Sequence, residues 1–527
     1  MIPPAVPTVH AAPRFQPGRT LTGIMAGVLL LAVVARLYLI FSTHATEEDF
    51  YITLRYAENV ARGAGFVYNP REHVLGTTTP LYTLLLALSI RLHLDPVLAG
   101  KLLCVTAEAL SCWLVWRLGC TLQRPLPGLC AAVCLAIAPL NLTESVKGME
   151  SSLVACACIA AWTLWAEGKS EGAWLCAGIA ILLRIDGVAL AAILLLACVG
   201  RDRRLPWTGI GVCAAVVIPW IVFATGEFGS PIPTSLRAKL IVYGRRNDGL
   251  FPNVLPFLRL MTHNPLSALL FVGALVTTLL AGRAFLLRLA GKGPDNANPR
   301  EGSIGRVTPI VAWLLVYYGG MAFSKVFLFG WYFLPPTPAY YLIACMGWGW
   351  LANAAGGRLH WDWLRQPIHR LAAAPLLAGI LLSMAIVPRV AKTLQESQSV
   401  ETGLRIPIGL WLKQHAAPYE TVMLEPIGYI GYYSHLRVLD TVGLVSPEVL
   451  PFYRRQEPSP YHALWKGFRP EWVLLRAGEW QELQRYEQTL PAYQRLPTHY
   501  HLTNSWRSSD SSAEAAPAFY LFHRIEE

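Results

Sequence analysis

The chain has 527 residues, of which 54% are hydrophobic and only 15% charged, and its mean hydropathy is +0.40. A soluble protein of this size exposes far more charge, so an ordinary soluble enzyme is excluded and a membrane protein is implied. The net charge of +11 does not require a nucleic-acid partner. Much of the basic excess falls in three clusters: Arg201, Arg203 and Arg204; Arg283, Arg288, Lys292, Arg300 and Arg306; and Arg358, Arg365 and Arg370. Basic short loops mark the cytoplasmic side of a membrane.

Residues 1–20 read as a cytoplasmic N-terminal tail. The apolar run over 21–41 is too long for a signal-peptide core, and the Ala-Thr-Glu-Glu after it is a poor cleavage site. It reads as a retained first span. Glu47, Glu48 and Asp49 follow directly. Residues 47–62 predict an amphipathic helix, with Phe50, Leu54, Ala57 and Ala61 at helical spacing and Gly63 and Gly65 after it. The apolar stretch 81–92 is short and closed off by Arg91, His93 and Asp95, so it reads as interfacial.

With that choice every basic loop falls on one side of the membrane. The spans are then 21–41, 97–121, 127–141, 150–166, 172–185, 187–200, 207–225, 264–282, 307–323, 331–351 and 371–388. That is an α-helical polytopic protein of about eleven transmembrane helices, with residues 21–388 as the membrane domain. No charge reads as clearly mid-span. The outer side receives the first loop 42–96, the stretch 142–150, the loop 226–263 and the turn at Arg184 and Asp186. All eleven cysteines lie between Cys104 and Cys345 in apolar segments and read as packing residues.

Residues 389–527 change character and predict a small extracytoplasmic α/β domain. A helix is expected over 394–415, strands over 421–424, 437–439, 472–475 and 519–523, a turn or short helix over 426–433, and a flexible loop over 508–517.

Asp49 is the principal catalytic candidate, with Glu48 beside it. A carboxylate at a membrane surface can take a proton from a hydroxyl as general base. The same residues also fit a capping box, with Thr46 as N-cap and Asp49 at the third helical position. Arg237 and Lys239 either clamp a phosphate or snorkel to the interface. Glu150 and Arg184 sit at predicted helix ends and are candidates by position. Arg184 and Asp186 also suit a simple ion pair.

The stretch Glu48-Asp49-Phe50-Tyr51-Ile52-Thr53-Leu54-Arg55-Tyr56-Ala57 is followed by Gly65-Phe66-Val67-Tyr68-Asn69-Pro70 and Gly76-Thr77-Thr78-Thr79-Pro80-Leu81. Together they resemble the first loop of bacterial GT-C glycosyltransferases, nearest to the terminal arabinofuranosyltransferase-like subgroup. Gly148-Met149-Glu150, Pro233-Thr234 with Lys239, and the segments 428–433 and 439–444 extend the resemblance over most of the chain. It implies a hexosyl- or pentosyltransferase that takes a sugar from a polyprenyl-phosphate donor in the outer leaflet of a bacterial cytoplasmic membrane. The acceptor would be an envelope glycan, lipid or protein. Asp49 falls on the family's catalytic carboxylate, Glu48 on its acidic neighbour, and Lys239 on the phosphate-binding position with Arg237 nearby. Tyr51, Arg55, Glu150, Arg184, Lys325 and Tyr332 are further candidate lining residues. Where relatives carry an Arg before the Tyr of the penultimate span, this chain has Trp331-Tyr332.

No nucleotide-binding loop is present, and a lipid-phosphate sugar needs none. No cofactor is required by the sequence. A divalent metal on Asp49 and Glu48 is compatible with it, although other ligands are not evident. The alternative function is a transporter or lipid flippase without transferase activity. Against it, no paired broken segments suggest inverted repeats.

Overall fold

The structure is a computed structural model that describes residues 18–242, 244, 253–262, 265–290, 299–324, 327–359, 368–455, 457–507 and 518–525. The first span is α1 (Arg19–Thr43). The amphipathic α2 (Glu48–Ala61), α3 (Pro80–Arg91) and α4 (Pro96–Thr121) follow. Then come α5 (Pro125–Ile137), α6 (Pro139–Ser145), α7 (Ser151–Ala166), α8 (Ser170–Leu183), α9 (Gly187–Asp202) and α10 (Trp207–Phe228). The series continues with α11 (Thr234–Val242), α12 (Val254–Thr262), α13 (Pro265–Leu289), α14 (Pro299–Phe323), α15 (Thr337–Leu359) and α16 (Ile368–Val400).

Six of the described helices are long and apolar enough to cross a membrane, or seven if the bent pair α5 and α6 is one span. The protein is therefore a multi-pass membrane protein. At 16, 14 and 16 residues, α7, α8 and α9 fall short of a full crossing of about 20. The expected span at 331–351 begins later. Gly330–Tyr332 makes one 3-10 turn, and α15 starts at Thr337 after Pro335-Pro336. Proline disfavours helical geometry in the residue before it, which delays the start.

The expectation that no charge lies mid-span is overturned inside α1 and α4. The side chains of Arg36 and Glu108 are 0% and 1% exposed and pair at 3.0 Å. The cause is a broken helix. Pro139 removes a backbone donor, Ala138 turns extended, and the chain bends by 53° between α5 and α6. Carbonyls freed by the break have no water to turn to in an apolar layer. Arg36 donates to them, to Leu135 O at 2.9 Å and Ala136 O at 3.1 Å, and to Ser145 Oγ at 2.9 Å. Ser152 donates to Glu108 at 3.1 Å.

Past the last span the chain does not break. α16 runs on through residues 388 and 389 to Val400. A π-turn at Glu401–Arg405 leads into α17 (Ile406–His415), β1 (Thr421–Leu424), α18 (Gly428–Ser434) and β2 (Arg437–Asp440). Next come α19 (Leu450–Arg454), α20 (Pro460–Phe468), β3 (Trp472–Arg476), α21 (Ala477–Glu487), β4 (Tyr500–Arg507) and β5 (Ala518–Arg524). The five strands form one sheet in the order β2-β1-β3-β5-β4. β1 pairs in parallel with β2 and β3, while β5 is antiparallel to both β3 and β4. Four strands match the expectation. β4 was not expected: it is a polar edge strand whose alternation is interrupted by an irregularity between Leu502 and Asn504. The loop expected at 508–517 lies outside the described residues.

Removing Arg36 leaves Glu108 buried and unpaired. Arg36→Met is expected to destabilise the protein by about 3–5 kcal/mol, and Arg36→Met with Glu108→Met to recover part of the loss. Unfolding of both variants in detergent checks this. Equal stability of Arg36→Met and the parent would show that the pair carries no load.

Candidate functional site

Two faces of α2 divide the work of the acidic loop. Residues three and four apart share a helix face. Asp49, Ile52 and Thr53 face a cavity of about 220 Å³. Glu48, Tyr51 and Arg55 face the C-terminal sheet region instead. The capping box is not formed, because the N-cap is Glu47 and makes no side-chain cap bond. Thr46 Oγ1 instead bonds the Tyr429 hydroxyl at 2.5 Å. Asp49 is thus freed from a capping role, and its side chain is 32% exposed.

The cavity draws on distant parts of the chain, among them Asp49 from α2, the Thr77–Thr79 segment, Glu150, Arg184 with Asp186, Lys239 from α11, and Tyr332. α11 is fixed at its start by Thr234 N donating to Leu75 O at 2.8 Å. One helical turn later Lys239 Nζ stands 3.8 Å from Asp49 Oδ2 and donates to Tyr332 Oη at 3.3 Å. The ammonium also lies over the Phe329 and Tyr332 rings at 5.7 and 5.8 Å. Burial works against its charge, but Asp49 and Tyr332 outweigh that and push its pKa above the ordinary lysine value. Arg184 sits behind Tyr332, 4.9 Å from its ring. It pairs with Asp186 at 3.2 Å and Glu150 at 3.7 Å, and donates to Ser151 Oγ at 3.2 Å. The expected Arg184–Asp186 pair therefore forms, and it does so on the cavity wall.

Three sequence candidates are placed elsewhere, and a fourth is not described. Arg237 is exposed and lines neither cavity near Asp49. It lies two residues from Lys239 on α11, which turns it to the opposite side, so the two do not act as a clamp. Tyr51 packs on Tyr429 with ring centroids 4.2 Å apart. Arg55 is buried and donates to Gly431 O and Leu436 O, both at 2.6 Å. Lys325 lies outside the described residues. Ser235, Trp331 and the Asp186 carboxylate are cavity residues that sequence reasoning did not select. For Ser235 a signal existed, since it precedes Lys239 by one helical turn.

Glu48 is a fastening group. It accepts from Arg405 Nη1 at 3.0 Å, from the Gly428 N–H, and from the Tyr429 N–H at 3.3 Å. Arg405 also holds Glu401 at 2.7 Å. A second cavity of about 250 Å³ opens here, shared by Glu48, Asp49, Lys239, Arg405 and the loops after β1 and β2. Asp49 and Lys239 therefore stand between two chambers. Among the described residues no group of three His, Cys, Asp or Glu side chains is set to hold a metal. Glu48, spent on Arg405 and two backbone donors, does not pair with Asp49 as a cation site.

Burial raises the pKa of Glu48 to about 7, and Arg405 only partly offsets it. Burial likewise raises Glu401 to about 8. Both lie above the ordinary value of 4.5. The folded state then holds these protons more tightly, so the stability they contribute is full below pH 4.5 and is lost as pH rises through 7 and 8. Thermal unfolding is expected to shift down across that window, with Glu48→Gln flattening the fall. A melting temperature that rises over the same range would contradict the assignment.

A domain of unknown function (DUF8728) matches residues 392–522. No curated protein matches the sequence significantly. Among solved structures, ArnT from Cupriavidus metallidurans bound to undecaprenyl phosphate superposes with a TM-score of 0.56 at 13% identity, covering 95% of this chain and 98% of that one. AglB from Archaeoglobus fulgidus, an oligosaccharyltransferase in complex with an inhibitory peptide and a dolichol-phosphate, gives a TM-score of 0.56 at 11% identity, over 95% and 76% of the two chains. At these identities the likeness is one of fold, and the fold is the one seen in ArnT and AglB.

Proposed function

We propose that the protein is a glycosyltransferase that moves a sugar from a polyprenyl-phosphate donor to an envelope glycan, lipid or protein acceptor, at the outer face of the cytoplasmic membrane. The carrying observation is the approach of Asp49 and Lys239 to 3.8 Å between two cavities. The GT-C fold and the undecaprenyl and dolichol phosphates bound to ArnT and AglB support it. In this reading the membrane domain spans residues 21–388 and the extracytoplasmic domain 389–527, with the N-terminus in the cytoplasm.

The donor phosphate lies against Lys239, with Tyr332 beside it. The acceptor enters through the chamber under the loops after β1 and β2. Asp49 takes the proton from the acceptor hydroxyl. That oxygen bonds to the anomeric carbon as the carbon–oxygen bond to the phosphate breaks, and the electron pair leaves on the phosphate. Lys239 stabilises the growing charge in a site of low dielectric. Arg184 is left to position Tyr332, because Glu150 and Asp186 hold it behind that ring. Direct displacement inverts the anomeric centre.

Purified protein in nanodiscs, given polyprenyl-phosphate sugars and envelope extracts, tests the reading. Asp49→Asn is expected to lower transfer by about 10²–10⁴-fold, and Lys239→Met by about 10²–10³-fold. Full transfer by Asp49→Asn would remove the assigned base. Translocation of the lipid across vesicles without any sugar transfer would support the flippase reading in its place.

A further inference from the structure

We propose that Leu444 is a specificity-determining residue. With Ile52 and Trp331 it keeps water out of the neck between the two chambers, so that the donor sugar passes to an acceptor hydroxyl and not to water. This inference rests on the transferase reading above. It assigns a task to the segment 439–444, which the sequence singled out and the reaction has so far left without one.

The neck is defined by the side chains that face both chambers. They are Asp49, Lys239, Ile52, Trp331 and Leu444. The polar pair is therefore bordered by three apolar side chains from separate parts of the chain. Ile52 stands on the Asp49 face of α2 and is 8% exposed, and Trp331 belongs to the 3-10 turn and is 7% exposed. Leu444 comes from the loop after β2 and is half-buried.

The backbone at Leu444 is held from two sides. The Asp440 carboxylate is fully buried and accepts from Val442 N at 2.9 Å, from the Leu444 N–H and from Val445 N at 3.2 Å. On the other side the loop rests on Gly76. A Cβ there would come within 2.7 Å of Val445 Cγ1 and 2.8 Å of the Leu444 carbonyl oxygen. Gly443, at φ +85°, makes the turn that brings the loop back. A loop so fixed can set where one side chain stands.

The chemistry needs such a barrier. The second chamber carries Glu48, Glu401, Arg405 and Asp440, a polar surface that water wets. Asp49, the base at its edge, can take a proton from water as readily as from an alcohol. The water oxygen then bonds to the anomeric carbon, the carbon–oxygen bond to the phosphate breaks, and the electron pair leaves on the phosphate. Free sugar and polyprenyl phosphate result, and the donor is wasted. A stable water site needs two to four polar partners. In the neck a water finds Asp49, with Lys239 engaged by the donor phosphate and apolar side chains on the remaining sides. An acceptor hydroxyl needs fewer partners, because the rest of the acceptor holds it in place. Excluding water from the reacting centre in this way suppresses the side reaction.

The test is the branching ratio of full-length protein in nanodiscs, given a labelled polyprenyl-phosphate sugar that the parent turns over, with envelope extract. Free sugar released is compared with sugar incorporated. Leu444→Ala is expected to raise hydrolysis over transfer by at least about tenfold, the scale on which apolar volume discriminates in a pocket. Leu444→Val should move the ratio the same way by less, and Leu444→Met should bring it back toward the parent. The ratio counts products per turnover, so partial loss of folded protein does not alter it. Adding Asp49→Asn to Leu444→Ala should abolish the released sugar. An unchanged ratio in both Leu444→Ala and Leu444→Val, or a rise in Leu444→Met as large as in Leu444→Ala, would overturn the proposal while the transferase reading stands. A parent that neither transfers nor hydrolyses any such donor would remove the transferase reading, and this inference with it.

Discussion

The geometry beside Asp49 depends on one seam, where the start of α2 meets the start of α18. Glu48 is held there by Arg405 and by the backbone donors of Gly428 and Tyr429. The approach is close enough that only glycine fits. A Cβ on Gly428 would come within 2.1 Å of the Glu48 carbonyl oxygen, and one on Gly431 within 2.0 Å of the Tyr68 hydroxyl. Arg55 closes the other end of the seam through the Gly431 and Leu436 carbonyls. Because neighbours on a helix point about 100° apart, fastening Glu48 to the sheet region turns Asp49 toward the cavity.

The charges around the cavity fall into two kinds. Arg184 has its partners built in, through Asp186, Glu150, Ser151 and the Tyr332 ring. Lys239 has a partner at 3.8 Å, too long for a direct hydrogen bond, and lines both open chambers. A buried charge that is fully paired holds structure, while one that is loosely paired beside open volume can receive a ligand. The same contrast separates Glu48 from Asp49, although the two are adjacent in sequence.

A related economy governs the membrane core. The break between α5 and α6 frees the Leu135 and Ala136 carbonyls, and Arg36 donates to both. Its charge then requires Glu108. Ionisable residues inside a membrane are ordinarily read as parts of a transport path. Here the pair is enclosed, bonded to a helix break and to Ser145 and Ser152. α6 leads directly toward Glu150, so the break helps to set where the cavity wall begins.

Much of this was legible in the sequence because it rests on local periodicity. The apolar runs foretold the principal helices, the 47–62 pattern foretold α2, and alternation foretold four strands. The first-loop motif pointed to the GT-C fold. Asp49 and Lys239 were singled out, but the sequence left open whether Asp49 was a cap and whether Arg237 shared its neighbour's role. Those questions turn on which way a side chain points and what lies opposite it. Arg405 meets Glu48 across 357 positions, and Arg36 reaches Ala136 across 100, distances over which no spacing rule operates. β4 escaped notice because an edge strand needs only one paired side, and a register irregularity erased its period. Local sequence determined the elements, since propensity and periodicity act within a few residues. Only the tertiary structure decided which charges were spent on one another and which were left facing open space, because pairing depends on elements distant in the chain being packed together.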